Sequence, residues 1–149
     1  MDMFCYQCQE AARNEACTVR GVCGKSPRVS ALQDLLIWTL KGISFWAVNG
    51  RGNLGVSHPE TDLFVVDALF ATITNANFDE ERIVALICES VARRDALKAE
   101  AQATCQAKHG MPCFHALPEP ATWEPESLNP ADLLLKGATV GILADTGLD

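Results

Sequence analysis

The chain has 149 residues and a formal net charge of −7, from 12 Lys and Arg against 19 Asp and Glu. That length allows one domain with a real core and is too short for a large multidomain enzyme. With 48% hydrophobic and 21% charged residues the composition excludes a disordered chain, and the acidic balance argues against nucleic-acid or anionic-membrane binding.

Residues 1–27 hold four of the seven cysteines, together with Gly21, Gly24 and Pro27, and show no sustained periodicity. They read as loops wrapped around a centre. Residues 28–111 read as a three-helix bundle. Ser30 with Gln33 three residues on predicts a capping box, and Leu32, Leu35, Leu36, Leu40, Ile43 and Ala47 form one apolar stripe at helical spacing. The most apolar stretch, Leu35 to Val48, is broken by Lys41 and falls short of the roughly 18 apolar residues of a membrane span, so it predicts a buried helix. Gly50, Gly52 and Gly55 would end it.

A second helix is expected from Pro59, with Leu63, Val66, Leu69, Phe70 and Ile73 on one side, and Asn75 and Asn77 mark the turn after it. The third starts at Asp79, whose acidic neighbours Glu80 and Glu81 suit the positive end of a helix dipole. It carries Ile83, Leu86, Ile87, Val91 and Leu97 and stops at Gly110 and Pro112. Residues 112–130 contain five of the seven prolines, which predicts a stiff crossing segment. Asn129 and Pro130 would cap a short helix reaching Lys136, and the alternation in Thr139–Leu143 marks the start of a further element. The fold class is mainly α: a helical bundle preceded by a Cys-rich loop region.

The chemistry lies in Cys5-x2-Cys8-x8-Cys17-x5-Cys23. Nothing resembling an export leader precedes these residues, and an odd cysteine total with one tight cluster is not a disulfide framework, so the chain reads as cytoplasmic. Four thiolates this close can surround one soft centre, either zinc or an iron–sulfur cluster. Structural zinc sites usually pair two short knuckles and only one is present; the longer gaps suit the larger perimeter of a cluster. The competing reading is a zinc-stapled helical interaction module. A thioredoxin-type pair would need Cys5-x2-Cys8 at a helix start after a strand, which is not predicted.

Residues 1–28 hold Arg13, Arg20, Lys25 and Arg28 against Asp2, Glu10 and Glu15, a cationic surplus in an acidic chain. Such cations would stabilise an anionic cluster and raise its reduction potential; the other reading is a solvated loop. Gly21 and Gly24 either let the backbone approach the cluster or make tight turns, and Met3, Phe4 and Tyr6 would shield it. Cys88 reads as a small core residue, Cys105 and Cys113 as ordinary thiols, and His58 as a turn residue. His109 and His115 flank Cys113, but that grouping lacks a second cysteine knuckle. Trp38 and Trp46 read as core or as packing against a further domain.

The segments Met3-Phe-Cys-Tyr-Gln-Cys-Gln-Glu10, Cys17-Thr-Val-Arg-Gly-Val-Cys-Gly-Lys25, Leu32-Gln-Asp-Leu-Leu-Ile37 and Leu69-Phe-Ala-Thr-Ile-Thr-Asn-Ala-Asn-Phe78 closely resemble the N-terminal region of the hybrid-cluster (prismane, hydroxylamine reductase) family. The resemblance implies that Cys5, Cys8, Cys17 and Cys23 ligate a [4Fe–4S] cluster. It implies electron relay from a redox donor protein to a hybrid iron–sulfur–oxygen cluster, where hydroxylamine or nitric oxide is reduced. Family members are considerably longer, and the hybrid-cluster motifs do not occur in this chain; Cys88, Cys105 and Cys113 do not match them. The expectation is therefore part of the first domain of such an enzyme, inactive alone and without catalytic residues of its own.

Overall fold

The computed structural model describes residues 3–74, 76 and 78–141. The turn expected at Asn75 and Asn77 lies outside the described residues, as do Ile142 and Leu143 of the Thr139–Leu143 element, whose described part is turn and bend after the last helix.

Helix α1, Pro27–Asn49, is the axis of the molecule. Its cap is Ser26, whose hydroxyl accepts from the Val29 N–H at 3.1 Å, with Pro27 in the first turn where a missing N–H costs nothing. The expected cap, Ser30, is buried inside the helix, one turn later. The Ser-Pro pair wins because proline presets the helical φ before the Ser30 box is reached. The predicted stripe is buried except for half-buried Ala47, but so are Ala31, Trp38 and Thr39, so α1 is a central helix covered on several sides. A π-helical turn, Gly50–Leu54, continues it, and the chain leaves the helical path only at Gly55, at φ 76°.

Helix α2, Pro59–Ile73, starts where expected but presents the opposite side to the core. Thr61, Phe64, Ala68 and Thr72 are buried, whereas Leu63, Val66, Leu69, Phe70 and Ile73 are exposed. The inner face is fixed by Arg93, whose guanidinium lies 4.8 Å from the centre of the Phe64 ring and donates to Thr61 Oγ1 at 3.3 Å.

Helix α3, Glu80–His109, packs along α1 with Ile83, Leu86, Ile87, Val91 and Leu97 buried. The Asp79 carboxylate caps it, accepting from Glu81 N and Arg82 N at 2.9 and 3.3 Å. Between the two helices the Ser90 hydroxyl donates to Thr39 Oγ1 at 2.9 Å, and Thr39 donates to the Leu36 carbonyl.

The Pro-rich segment crosses α1 and contributes to the same core. It holds α4, Glu119–Thr122, and α5, Pro130–Gly137, the latter capped by Asn129 as expected. Ala121, Leu133 and Leu134 are buried with the residues of α1 and α3, and Trp46 Nε1 donates to the Ala121 carbonyl at 2.9 Å. Gly42 and Gly137 allow these crossings, because a Cβ at either would overlap a backbone carbonyl, of Pro120 and of Ala31 respectively. Trp38 and Trp46 are thereby core residues, at 5% and 0% exposure.

Cys105 and Cys113 are not separate thiols: they form a disulfide with Cα atoms 6.1 Å apart. Gly110, at φ 69°, reverses the chain after α3 and returns Cys113 to the helix's last turns, a contact that spacing alone does not reveal. Among the described residues no strand forms and no helix is long and apolar enough to cross a membrane.

Candidate metal centre

The cysteine segment is shaped by turns. The Cys8 carbonyl accepts from Ala11 N at 3.2 Å, and Arg13 and Asn14 adopt left-handed backbone at φ 59° and 56°. This reversal sets Cys17 opposite Cys5 in an isolated antiparallel bridge, with Cys5 N donating to Cys17 O at 3.1 Å and Cys17 N to Cys5 O at 2.8 Å. Residues 21–25 close a second turn, in which Gly21 N donates to Lys25 O and Gly24 N to Gly21 O, both at 2.9 Å. Gly24 supplies a φ of 96°, and a Cβ at Gly21 would lie 2.9 Å from Lys25 Cβ and 3.0 Å from Cys23 Sγ. Gly24 thus serves the turn, and Gly21 also the close packing beside Cys23.

All four thiols are free: Cys17 is buried, Cys5 and Cys8 are half-buried, and Cys23 is exposed. The tight 21–25 turn points Lys25 inward, where it is 1% exposed. Its ammonium donates to Gln7 Oε1 at 2.9 Å and to Cys5 Sγ at 3.6 Å, and Gln7 Nε2 in turn donates to Thr72 Oγ1 of α2 at 3.4 Å. The Asp34 carboxyl on α1 is pushed up to about 7 by burial, with the Lys25 charge pulling it down by less. Arg13, Arg20 and Arg28 are exposed, and Arg28 pairs with Glu80 at 2.9 Å. Met3 is buried, Phe4 is half-buried and edge-on to Tyr6 at 5.6 Å, and Tyr6 is exposed.

A soft metal centre suits this donor set: free thiols on one short segment, two of them on bridged residues, and a buried cation beside a sulfur. Among the described residues, no group of three or more His, Cys, Asp or Glu side chains is arranged to hold a metal ion. The fit therefore rests on donor chemistry and charge. The other candidates have structural partners. His58 Nδ1 and Nε2 lie 2.9 and 2.6 Å from Glu60 and Glu100, which raises its pKa, chiefly through the Glu100 hydrogen bond. Cys88 is half-buried on α3, and the Cys113 that His109 and His115 flank is in the disulfide. Sequence reasoning missed the specific roles of Lys25, Gln7 and Asp34. Lys25 is visible in the sequence as one of four cations, but only the turn after Gly21 distinguishes it from the other three.

The sequence profile of the Prismane/CO dehydrogenase family matches residues 3–128. The chain is 47% identical to a hydroxylamine reductase of Petrotoga mobilis over 149 residues, covering all of this chain and 27% of that protein. It is 48% identical to a hydroxylamine reductase of Kosmotoga olearia, covering 97% of this chain and 26% of the relative. With a hydroxylamine reductase of Nitratidesulfovibrio vulgaris the identity is 46%, covering 99% and 26%. The chain thus spans about a quarter of the length of these relatives.

Proposed function

The chain belongs to the Prismane/CO dehydrogenase family, and from that premise we propose that Cys5, Cys8, Cys17 and Cys23 hold a [4Fe–4S] cluster serving electron relay in an oxidoreductase that reduces hydroxylamine or nitric oxide. The observation that carries this reading is four free thiols on one loop segment, with a buried ammonium 3.6 Å from the sulfur of Cys5. Residues 1–27 are the cluster-binding segment, 28–111 the helical body and 112–149 the crossing that leads onward, within the first domain of a longer enzyme.

Such a cluster, when bound, stores and releases single electrons. The residues of this chain hold and shield it. The paired backbones of Cys5 and Cys17 set the positions of two ligands, the 21–25 turn carries Cys23, and buried Met3 limits water on one side. Substrate chemistry belongs to a hybrid cluster formed by regions of the longer enzyme that this chain does not contain. The donor is a redox protein, and nucleic acid and membranes are not partners of this acidic chain. We place it in the cytoplasm, a reducing compartment that would keep Cys5, Cys8, Cys17 and Cys23 available as thiolate ligands and would expose the Cys105–Cys113 disulfide to reduction.

Chain prepared without oxygen is expected to be brown, with about four irons and four sulfides per molecule as a cubane requires. Cys17→Ser should lower that content sharply and Cys88→Ser should leave it near normal; equal losses would overturn the ligand assignment. Colourless protein with one zinc, unfolding on chelation, would replace the proposal with a zinc-stapled interaction module. The cluster-loaded chain should not turn over hydroxylamine with a chemical reductant, and turnover would refute a pure relay role.

A further inference from the structure

An ammonium withdrawn from water is costly unless an anion or several acceptors replace its hydration. Lysine usually escapes by extending its flexible stem to the surface. Lys25 does the opposite, at 1% exposure, while the other cations of the segment stay in solvent. Its hydrogen-bond partners are a neutral amide, Gln7 Oε1 at 2.9 Å, and the sulfur of Cys5 at 3.6 Å. Gln7 is itself oriented: its Nε2 donates to Thr72 Oγ1, whose hydroxyl proton goes to the Leu69 carbonyl at 2.8 Å, so Oε1 is the end turned toward Lys25 and toward Cys5, whose Sγ donates to it at 3.8 Å. The chain therefore runs from α2 through Thr72 and Gln7 to the ammonium and on to one thiol of the four.

We propose that Lys25 is a positioning residue for the centre, donating a hydrogen bond to the Cys5 sulfur in the loaded protein and raising its reduction potential, with Gln7 and Thr72 holding the ammonium in place. This rests on the [4Fe–4S] reading of the four cysteines. A thiolate ligand would supply a hydrogen-bonded anion, which Gln7 does not, and a fixed positive charge favours the more negative reduced state, as do N–H bonds to cluster sulfur. Asp34 faces the same ammonium from α1, so potentials are to be compared at one pH.

The test is a spectroscopically monitored redox titration of the iron–sulfur-loaded chain, with helicity followed in parallel. Lys25→Met should lower the ratio of reduced to oxidised cluster at least tenfold at fixed potential, a fall of about 59 mV for a one-electron couple. Lys25→Arg should recover most of it, and Arg20→Met, which removes an exposed cation, should leave the potential unchanged. Loss of cluster from Lys25→Met and Lys25→Gln with helicity intact, while Arg20→Met stays loaded, would equally support the assignment. An unchanged potential in Lys25→Met, an equal shift in Arg20→Met, or joint loss of helicity and cluster would overturn it. If the unaltered chain takes up no iron and sulfide, the reading of the four cysteines fails instead.

Discussion

Asp34 offers a measurable consequence of the site's electrostatics. Its carboxyl on α1 is raised from an ordinary 3.8 to about 7, first by desolvation and against a smaller opposing pull from Lys25. A raised acid binds its proton more tightly in the folded chain, so between pH 4 and 7 the native state holds more protons than the unfolded one. Stability must then fall as pH rises through that window, by up to about 1.4 kcal/mol per pH unit. From 3.8 to about 7 the total is about 4 kcal/mol. An asparagine side chain resembles the protonated acid at every pH. Asp34→Asn is therefore expected to be about 2–4 kcal/mol more stable than the parent at pH 8, with the gap closing to near zero by pH 4. Urea unfolding of both proteins across pH 4–8, followed by far-ultraviolet circular dichroism, measures it. The raised His58 and lowered Glu60 also make stability depend on pH, but equally in both proteins, so they cancel in the difference. A difference independent of pH, or a variant less stable than the parent at pH 8, would refute the reasoning.

Two further substitutions probe the fold. Gly42→Ala should gain up to about 1 kcal/mol in helix propensity yet destabilise by a net of about 2–4 kcal/mol in chemical denaturation, because its Cβ overlaps the Pro120 carbonyl and displaces the Trp46–Ala121 hydrogen bond. Gly52→Ala, with nothing within 4 Å of its Cβ, should stay within about 0.5 kcal/mol. Glu100→Gln should move the His58 titration, followed by proton NMR, down toward the ordinary 6.5, since the Glu100 hydrogen bond is the largest cause of its elevation. A raised histidine stabilises below its unfolded pKa and loses that effect as pH rises through the folded one. The cost of Glu100→Gln, under about 1 kcal/mol for this partly exposed pair, should accordingly appear at pH 6 and vanish well above the folded pKa.

Features set by neighbours in sequence are legible without the structure. The α3 start at Asp79, the α2 start at Pro59, the Asn129-Pro130 start of α5 and the stop at Gly110 all follow from the dihedral, charge and hydrogen-bond preferences of a few adjacent residues. What is not legible depends on partners far along the chain. The Cys105–Cys113 disulfide needs the reversal at Gly110. The sequence of α2 misleads about its facing because its outer apolar residues outnumber its inner ones. Arg93, about 30 positions later, decides which side turns inward by stacking on Phe64 and bonding Thr61. Ser30 is a sound local cap displaced by a better one at Ser26-Pro27.

The cysteine segment shows the same division within one site. Its four thiols announce themselves by spacing, but its attachment to the helices is largely polar: between residues 3 and 26 the buried apolar side chains are Met3 and Cys17. Hydrophobic periodicity therefore cannot locate it on the bundle. Gln7 bonded to Thr72 and Lys25 facing Asp34 do that instead, tying the segment to α2 and α1 through groups whose worth depends on charge. Lys25 has the Asp34 carboxyl facing it from α1, and an anionic Cys5 sulfur would add a second negative partner. On the proposed reading of the four cysteines, the polar attachment and the chemistry of the centre are one design: a metal-bound thiolate at Cys5 would add its charge to that of Asp34 in holding Lys25 inward.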